Sequence, residues 1–325
     1  MDNKQLLIDW GAKALSDKGA ILEHPPETIV ETPWSIVLRF LTTNGCFYLK
    51  QTPPDLFVEL EIIKLIQENI PIASVPSIVM ENVHLNCFLM ESCGDFSLRT
   101  KFKGTIDQAL LIKGLHAYID VMRSSERDLD LFAGLIPDWR IKQIPGLFVE
   151  LIENNDLLLD EGLTQDEIQK LKALLPSIEL SCELLLKYQV KETLVNADFN
   201  ENNLIIDEKS QKIAIIDWGE SVLSHPFFSI ASHLRNNARR YKLALDGELL
   251  EKIKQQCLSR WLDVANLNEL NAIYQHIENI LPIFSTLAIY RLQTATHHKS
   301  KEQQNWFIAG FLRTLLDNQK RANLQ

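Results

Sequence analysis

At 325 residues the chain is longer than one hydrophobic core usually serves, so two lobes or domains are expected. With 46% hydrophobic and 23% charged residues it has the composition of an ordinary globular protein, and it contains no apolar run of about 18 residues that could span a membrane. Its 33 basic and 43 acidic residues leave a net charge of −10, which disfavours nucleic acid as a partner and is compatible with a cationic one.

Five cysteines, Cys46, Cys87, Cys93, Cys182 and Cys257, are odd in number and form no C-x-x-C pair. That usage fits a reduced, cytoplasmic compartment better than a disulfide framework. The opening MDNKQLLIDWGAKAL reads as an amphipathic helix and lacks the apolar core of a signal peptide. Strands follow in ETIVE, SIVLRFLTT and CFYLKQ, with Asn44-Gly45 as a hairpin signal between the last two. Pro53-Pro54 breaks the pattern, and residues 55–68 return to helical periodicity. SIVMEN and CFLME supply two more strands around a polar turn.

After Ser92-Cys93-Gly94 the texture changes to long helices. TIDQALLIKGLHAYIDVM is one; LTQDEIQKLKALL is another, opened by Thr164 and Glu167 at capping-box spacing. A hairpin, NLIID then KIAIIDWG, interrupts the helices, which resume at residue 228 and end in QNWFIAGFLRTLLDNQ. The expected class is α+β. A small antiparallel-sheet lobe over residues 1–91 carries one helix between its strands, and a mainly helical lobe covers 92–325.

The chemistry concentrates in NADFNENNLIIDEK, residues 196–209. Asp198, Asn200 and Asn202 have the spacing of the first ligands of a calcium loop, but Asn203 replaces the turn glycine and Lys209 the closing carboxylate, so that template fails. The other template is Asp-x-x-x-x-Asn, the spacing of a phosphoryl-transfer loop. There Asp198 accepts or orients the proton of the attacking hydroxyl. Asn203 and Asp217, the latter just before Trp218-Gly219, offer hard oxygens to Mg2+ and meet at one end of the hairpin. The competing reading of Asp198 is an Asx-turn or helix cap. Lys50, ending CFYLK, would neutralise the α and β phosphates, and Glu59, bordering the apolar stripe of the next helix, would pair with it in preference to Glu61. Both could instead be surface charges. FLMESCG would present the Glu91 carbonyl and the Cys93 amide to an adenine edge.

NADFNENNLIID followed by IAIIDWGE resembles the aminoglycoside phosphotransferase and choline kinase superfamily of protein-kinase-like enzymes, from about residue 30 to about 235. The resemblance implies a kinase-like pair of lobes, ATP or GTP as donor with Mg2+, and a small hydroxylated acceptor, aminoglycoside-like or of the amino-alcohol type. Asn196 and Asn200 stand where that superfamily usually has histidine, Ala197 where it has glycine, and Ser229 where it commonly has a bracing aspartate. No glycine occurs in ETPWSIV, where Ser35 is the candidate phosphate contact. Glu220 could face a cationic amine, although a solvated carboxylate is the simpler reading. Trp261, Tyr274, Tyr290 and Trp306 could wall an ammonium group, but their spacing favours core. The adjacent pair His297-His298 points apart on a helix and is a poor chelate. A nucleotide-binding scaffold without catalysis is the alternative function. A protein kinase is disfavoured by the absence of Ala-Pro-Glu and of an activation segment before HPFF.

Overall fold

The first hairpin shows how closely local sequence sets the backbone. In the computed structural model, which describes residues 3–299 and 308–322, β1 (Glu27–Thr32) and β2 (Ser35–Thr42) pair antiparallel with Thr32 opposite Ser35. Only Pro33 and Trp34 remain to turn the chain, and Thr32 Oγ1 ties the turn by accepting from Ser35 N at 3.0 Å. β3 (Gly45–Gln51) follows through a second two-residue turn, Thr43-Asn44. The turn lies one residue before the predicted Asn44-Gly45, because Gly45 itself pairs with Thr42 and takes the positive φ of 127°. β4 (Ile78–Asn82) and β5 (Cys87–Glu91) complete a five-stranded antiparallel sheet in the order β1-β2-β3-β5-β4.

Strand alternation sends Leu38, Phe40, Phe47 and Leu49 to one face, where they are buried with Leu7, Ala14 and Leu15 of the helix Asn3–Asp17. A side chain at Gly11 would sit 2.7 Å from Phe40, so glycine allows the helix this approach. Lys50 is out of phase with Leu49 and points to the opposite face. The predicted helix 55–68 is a short 3-10 turn, Pro54–Leu56, followed by the helix Glu59–Asn69, whose buried stripe is Glu59, Ile62, Ile63 and Ile66. A carboxylate thus heads an otherwise apolar stripe.

The chain divides into two compact units. The first comprises Met1–Lys101, Glu201–Gly219 and Leu292–Gln304, so the hairpin 201–219 lies with the N-terminal sheet and not with the helices flanking it in sequence. The hairpin strands Leu204–Ile206 and Ile213–Ile215 form a small sheet with Phe96–Ser97, a strand too short to show a sequence period.

The second unit is mainly helical and also holds a three-stranded sheet. In it Ser221–Ser224 runs parallel to Asp138–Trp139 and antiparallel to Thr193–Asn196. The helix Gln165–Lys172 has the predicted capping box: Thr164 Oγ1 accepts from Glu167 N at 3.2 Å, and Glu167 Oε2 accepts from Thr164 N at 2.8 Å. Of the predicted last helix, residues 304–307 lie outside the described residues and the described part is Ile308–Ala322. No described helix is long and apolar enough to cross a membrane.

Candidate active site

Within the first unit, Lys50 bridges two carboxylates. Its Nζ lies 2.6 Å from Glu59 Oε2 and 2.6 Å from Asp217 Oδ1. The Lys50 and Glu59 side chains are 7% and 2% exposed, whereas Asp217 is 49% exposed, so two charges are out of water and the third is half in it. Burial alone would lower the lysine pKa, but Asp217 and Glu59 outweigh it and hold the ammonium above its ordinary value. Burial pushes the Glu59 carboxyl upward, opposed by Lys50 and by the Trp218 N–H, which donates to Oε1 at 3.2 Å. Glu61 instead lies on the exposed side of the helix and pairs with Lys64.

Asp217 has φ +66°, the left-handed region that non-glycine residues seldom occupy. Its neighbours hold it there. Trp218 is buried and donates its indole N–H to Ile215 O at 3.2 Å, while a side chain at Gly219 would press to 3.2 Å from Leu56 O. Asn203 is 3% exposed, and its carbonyl accepts from Ile216 N at 3.0 Å. That bond closes the hairpin and brings Asn203 and Asp217 to one end of it. Glu201, which the sequence did not single out, is 1% exposed and accepts from Arg99 Nε at 2.7 Å.

In FLMESCG, Glu91 N donates to Ser77 O and Ser92 N to Cys46 O, so the sheet holds this segment up to Ser92. A side chain at Gly94 would lie 2.7 Å from the Ile206 carbonyl, and Asp95 N bonds that same oxygen at 2.8 Å. Glycine is required there by backbone approach. The Cys93 thiol is pushed up to about 11 by burial, so it stays protonated at neutral pH. Ser35 is 9% exposed, and its Oγ has no hydrogen-bond partner among the described residues.

In the second unit, Asp198 is exposed at the end of the strand Thr193–Asn196. Asn196 makes an Asx-type bond in this loop, its Oδ1 accepting from Asp198 N at 2.9 Å. Asn200 Nδ2 donates to the Asp198 carbonyl at 2.7 Å and lies 3.4 Å from its Oδ2. Asn196 is fully buried, its N–H donating to Tyr118 Oη at 2.7 Å and its carbonyl accepting from Ser229 Oγ at 2.9 Å. Tyr118, also missed by sequence reading, stacks on Phe199 with centroids 3.7 Å apart. The Glu220 carbonyl accepts from Ala197 N at 3.1 Å, placing that residue beside the loop.

Two of the four aromatic candidates, Trp261 and Tyr274, are core, as their spacing favoured. Trp261 and Tyr274 are 0% and 5% exposed, Trp261 lying edge-to-face on Phe227 at 5.0 Å. Arg123 and Lys254 already stand over their rings at 5.6 and 5.4 Å. Tyr290 is half-buried, and Trp306 lies outside the described residues. His297 and His298 are not helical but turn the chain after the helix Leu267–Ala295, with φ of 49° and 63°. All five cysteines are unpaired.

Residues 109–269, about half of the chain, match the phosphotransferase enzyme family. The likeness is to the family as a whole and extends over just under half of the chain. The matched span includes Asp198, Asn203, Asp217 and Glu220 but not Lys50 or Glu59. Among solved structures, an ethanolamine kinase of Plasmodium vivax superposes with a TM-score of 0.61 at 17% identity, over 97% of this chain and 88% of that one. The GDP complex of an aminoglycoside 2'-phosphotransferase superposes with a TM-score of 0.58 at 15% identity, over 97% and 98%. A macrolide 2'-phosphotransferase from Brachybacterium faecium gives 0.58 at 13% identity, over 95% and 98%. These likenesses show that the fold is that of protein-kinase-like phosphotransferases. No curated protein sequence matches this chain.

Proposed function

We propose that the protein transfers the γ-phosphoryl group of ATP or GTP to a hydroxyl of a small molecule. The observation that carries this reading is the buried Lys50 ammonium held between Glu59 and Asp217 in a chain that matches the phosphotransferase enzyme family over residues 109–269. Phosphoryl transfer asks a protein mainly for placement and charge neutralisation, and a lysine kept protonated by two carboxylates supplies a fixed charge for the α and β phosphates. Ser35 Oγ is a second phosphate contact, and the Glu91 carbonyl and Cys93 amide take the purine edge.

Asn203 and Asp217 suit magnesium by donor chemistry. One carboxylate and one carboxamide oxygen at a single hairpin end are hard ligands, too few for a complete shell without phosphate oxygens and water. Bound magnesium would neutralise charge on the β and γ phosphates. Asp198 receives or orients the acceptor proton, and an Asx-turn or cap is the competing role. Support for the acceptor class comes from the acidic chain and from an ethanolamine kinase and a phosphotransferase complexed with kanamycin among the similar solved structures. We take it to be a hydroxyl on a molecule bearing amines, with Glu220 as the candidate carboxylate facing them.

The test is ADP or GDP release across a panel of amino alcohols, aminoglycosides and neutral hydroxyl compounds, beside melting scans with nucleotide and magnesium. Asp198→Asn is expected to lower turnover about 10²- to 10⁴-fold while leaving the nucleotide-dependent melting shift intact. Unchanged turnover would remove Asp198 from the mechanism. A nucleotide shift without turnover on any acceptor would favour the scaffold reading, which the asparagines at positions 196 and 200 otherwise support.

A further inference from the structure

The backbone of Asn196 and the hydroxyl of Ser229 converge on one side chain, that of Tyr118. Ser229 Oγ lies 2.9 Å from the Asn196 carbonyl, which can only accept, so the serine proton points there. A hydroxyl has one proton, so in its 3.1 Å contact with Tyr118 Oη the serine must accept. Tyr118 Oη in turn accepts the Asn196 N–H at 2.7 Å. The three bonds form a closed ring: Asn196 N–H to Tyr118, Tyr118 O–H to Ser229, Ser229 O–H back to the Asn196 carbonyl. Each hydroxyl donates once and accepts once, and the ring carries no formal charge.

We propose that Tyr118 is the positioning residue for the Asp198 loop, acting through this ring and through its stacked neighbour; the proposal rests on the phosphotransfer reading of Asp198. Asp198 lies between two residues that Tyr118 holds. On one side is Asn196, whose backbone is in the ring and whose Oδ1 accepts the Asp198 N–H at 2.9 Å. On the other is Phe199, its ring stacked on Tyr118 at 3.7 Å and 11°. Tyr118 comes from the helix Gln108–Ser125 and Ser229 from the helix Pro226–Arg240, so two helices and a strand are tied at one point. Tyr118, Asn196 and Ser229 are at most 1% exposed, so water cannot replace a lost bond without entering the core. Burial raises the tyrosine pKa, keeping its proton in place across the working pH range. The brace consists of neutral groups, two hydroxyls and the Asn196 backbone.

The experiment compares wild type, Tyr118→Phe and Ser229→Ala in steady-state kinetics and in hydrogen exchange of residues 193–200. A misplaced catalytic group costs rate and not affinity, so Tyr118→Phe should lower kcat about 10-fold while both KM values and the shape of the pH profile stay unchanged. Exchange at the Asn196 and Asp198 amides should accelerate. Ser229→Ala opens the ring but keeps the bond from Asn196 N–H to Tyr118, so it should move the same quantities less, and it serves if Tyr118→Phe does not fold. An active wild type with unchanged kcat in a folded Tyr118→Phe or Ser229→Ala protein would overturn the positioning role. So would a kcat loss matched by rising KM. A wild type inactive on every acceptor would overturn the phosphotransfer reading itself, and the role of Tyr118 in catalysis with it.

Discussion

Lys50 and Tyr118 are both buried polar side chains at the centre of three-membered networks, yet they are held by opposite means. Lys50 sits among charges, two carboxylates at 2.6 Å, one of them half exposed. Tyr118 is bonded to neutral groups, the Ser229 hydroxyl and the Asn196 N–H. Removing one partner of a buried ion pair strands a charge and typically costs about 3–5 kcal/mol. Stranding a neutral donor or acceptor costs roughly 1–3 kcal/mol. Under the proposed function the difference has a use. The charged network must change partners when phosphates and magnesium arrive, and Asp217, the exposed member, is the one able to do so. The neutral network only has to hold still.

The largest effect expected from breaking this contrast is at Lys50. Lys50→Met should cost about 3–5 kcal/mol in urea unfolding, because Glu59 is left buried without its cation. Burial already pushes the Glu59 pKa up, and removing Lys50 pushes it further, so the lost stability should be greatest at high pH and recover as the pH falls toward 4. A pH-independent loss would show that Glu59 is not the group left stranded.

Glu192 tests an intermediate case, a carboxyl that burial raises to about 7, with Ile141 N donating to its Oε1 at 2.9 Å. Its folded pKa lies above the ordinary glutamate value, so the stability it confers is complete below that value and is lost as pH rises through about 7. Glu192→Gln should keep the amide bond, flatten that decline and raise the melting temperature at pH 8 by a few degrees. An unchanged pH dependence would refute the assignment.

The smallest effect belongs to a surface pair. Arg313 Nε lies 2.7 Å from Glu167 Oε1, and the Arg313 bond followed by the Thr164 N–H lowers the Glu167 pKa to about 2. This depressed carboxylate stabilises the fold above its ordinary pKa and loses that effect as pH falls through about 2. Arg313→Ala should cost about 0.5–1 kcal/mol near neutrality and move the acid-unfolding midpoint upward. A salt titration should shrink this cost but not the cost of Tyr118→Phe.

What the sequence made legible followed periodicity. The five long strands, the helix stripe headed by Glu59 and the capping box at Thr164 each repeat a spacing over enough residues to be read. Strands of two to four residues, such as Phe96–Ser97, Asp138–Trp139 and Ser221–Ser224, carry no period and form only because a partner strand is brought alongside. Lys50, Glu59 and Asp217 could be named because their spacings match a template, and they do meet. Tyr118 could not: in ALLIKGLHAYIDVM it reads as one more core aromatic, and its hydroxyl gains meaning only when Asn196 and Ser229 are seen against it. Arg99 and Glu201 are hidden for the same reason, their pairing spanning 102 positions.

The turn at Pro33-Trp34 has a consequence in the time domain. Two residues, one of them proline, connect β1 to β2, and Trp34 packs with Leu56, Leu292 and Ala295. Such a turn has spent its conformational freedom during folding and keeps no slack to fold down on an arriving ligand. Under the proposed function, a nucleotide whose phosphates reach Ser35 would meet a finished surface. Its observed association rate should then climb in proportion to concentration without reaching a plateau, since no loop closure stands in series with encounter.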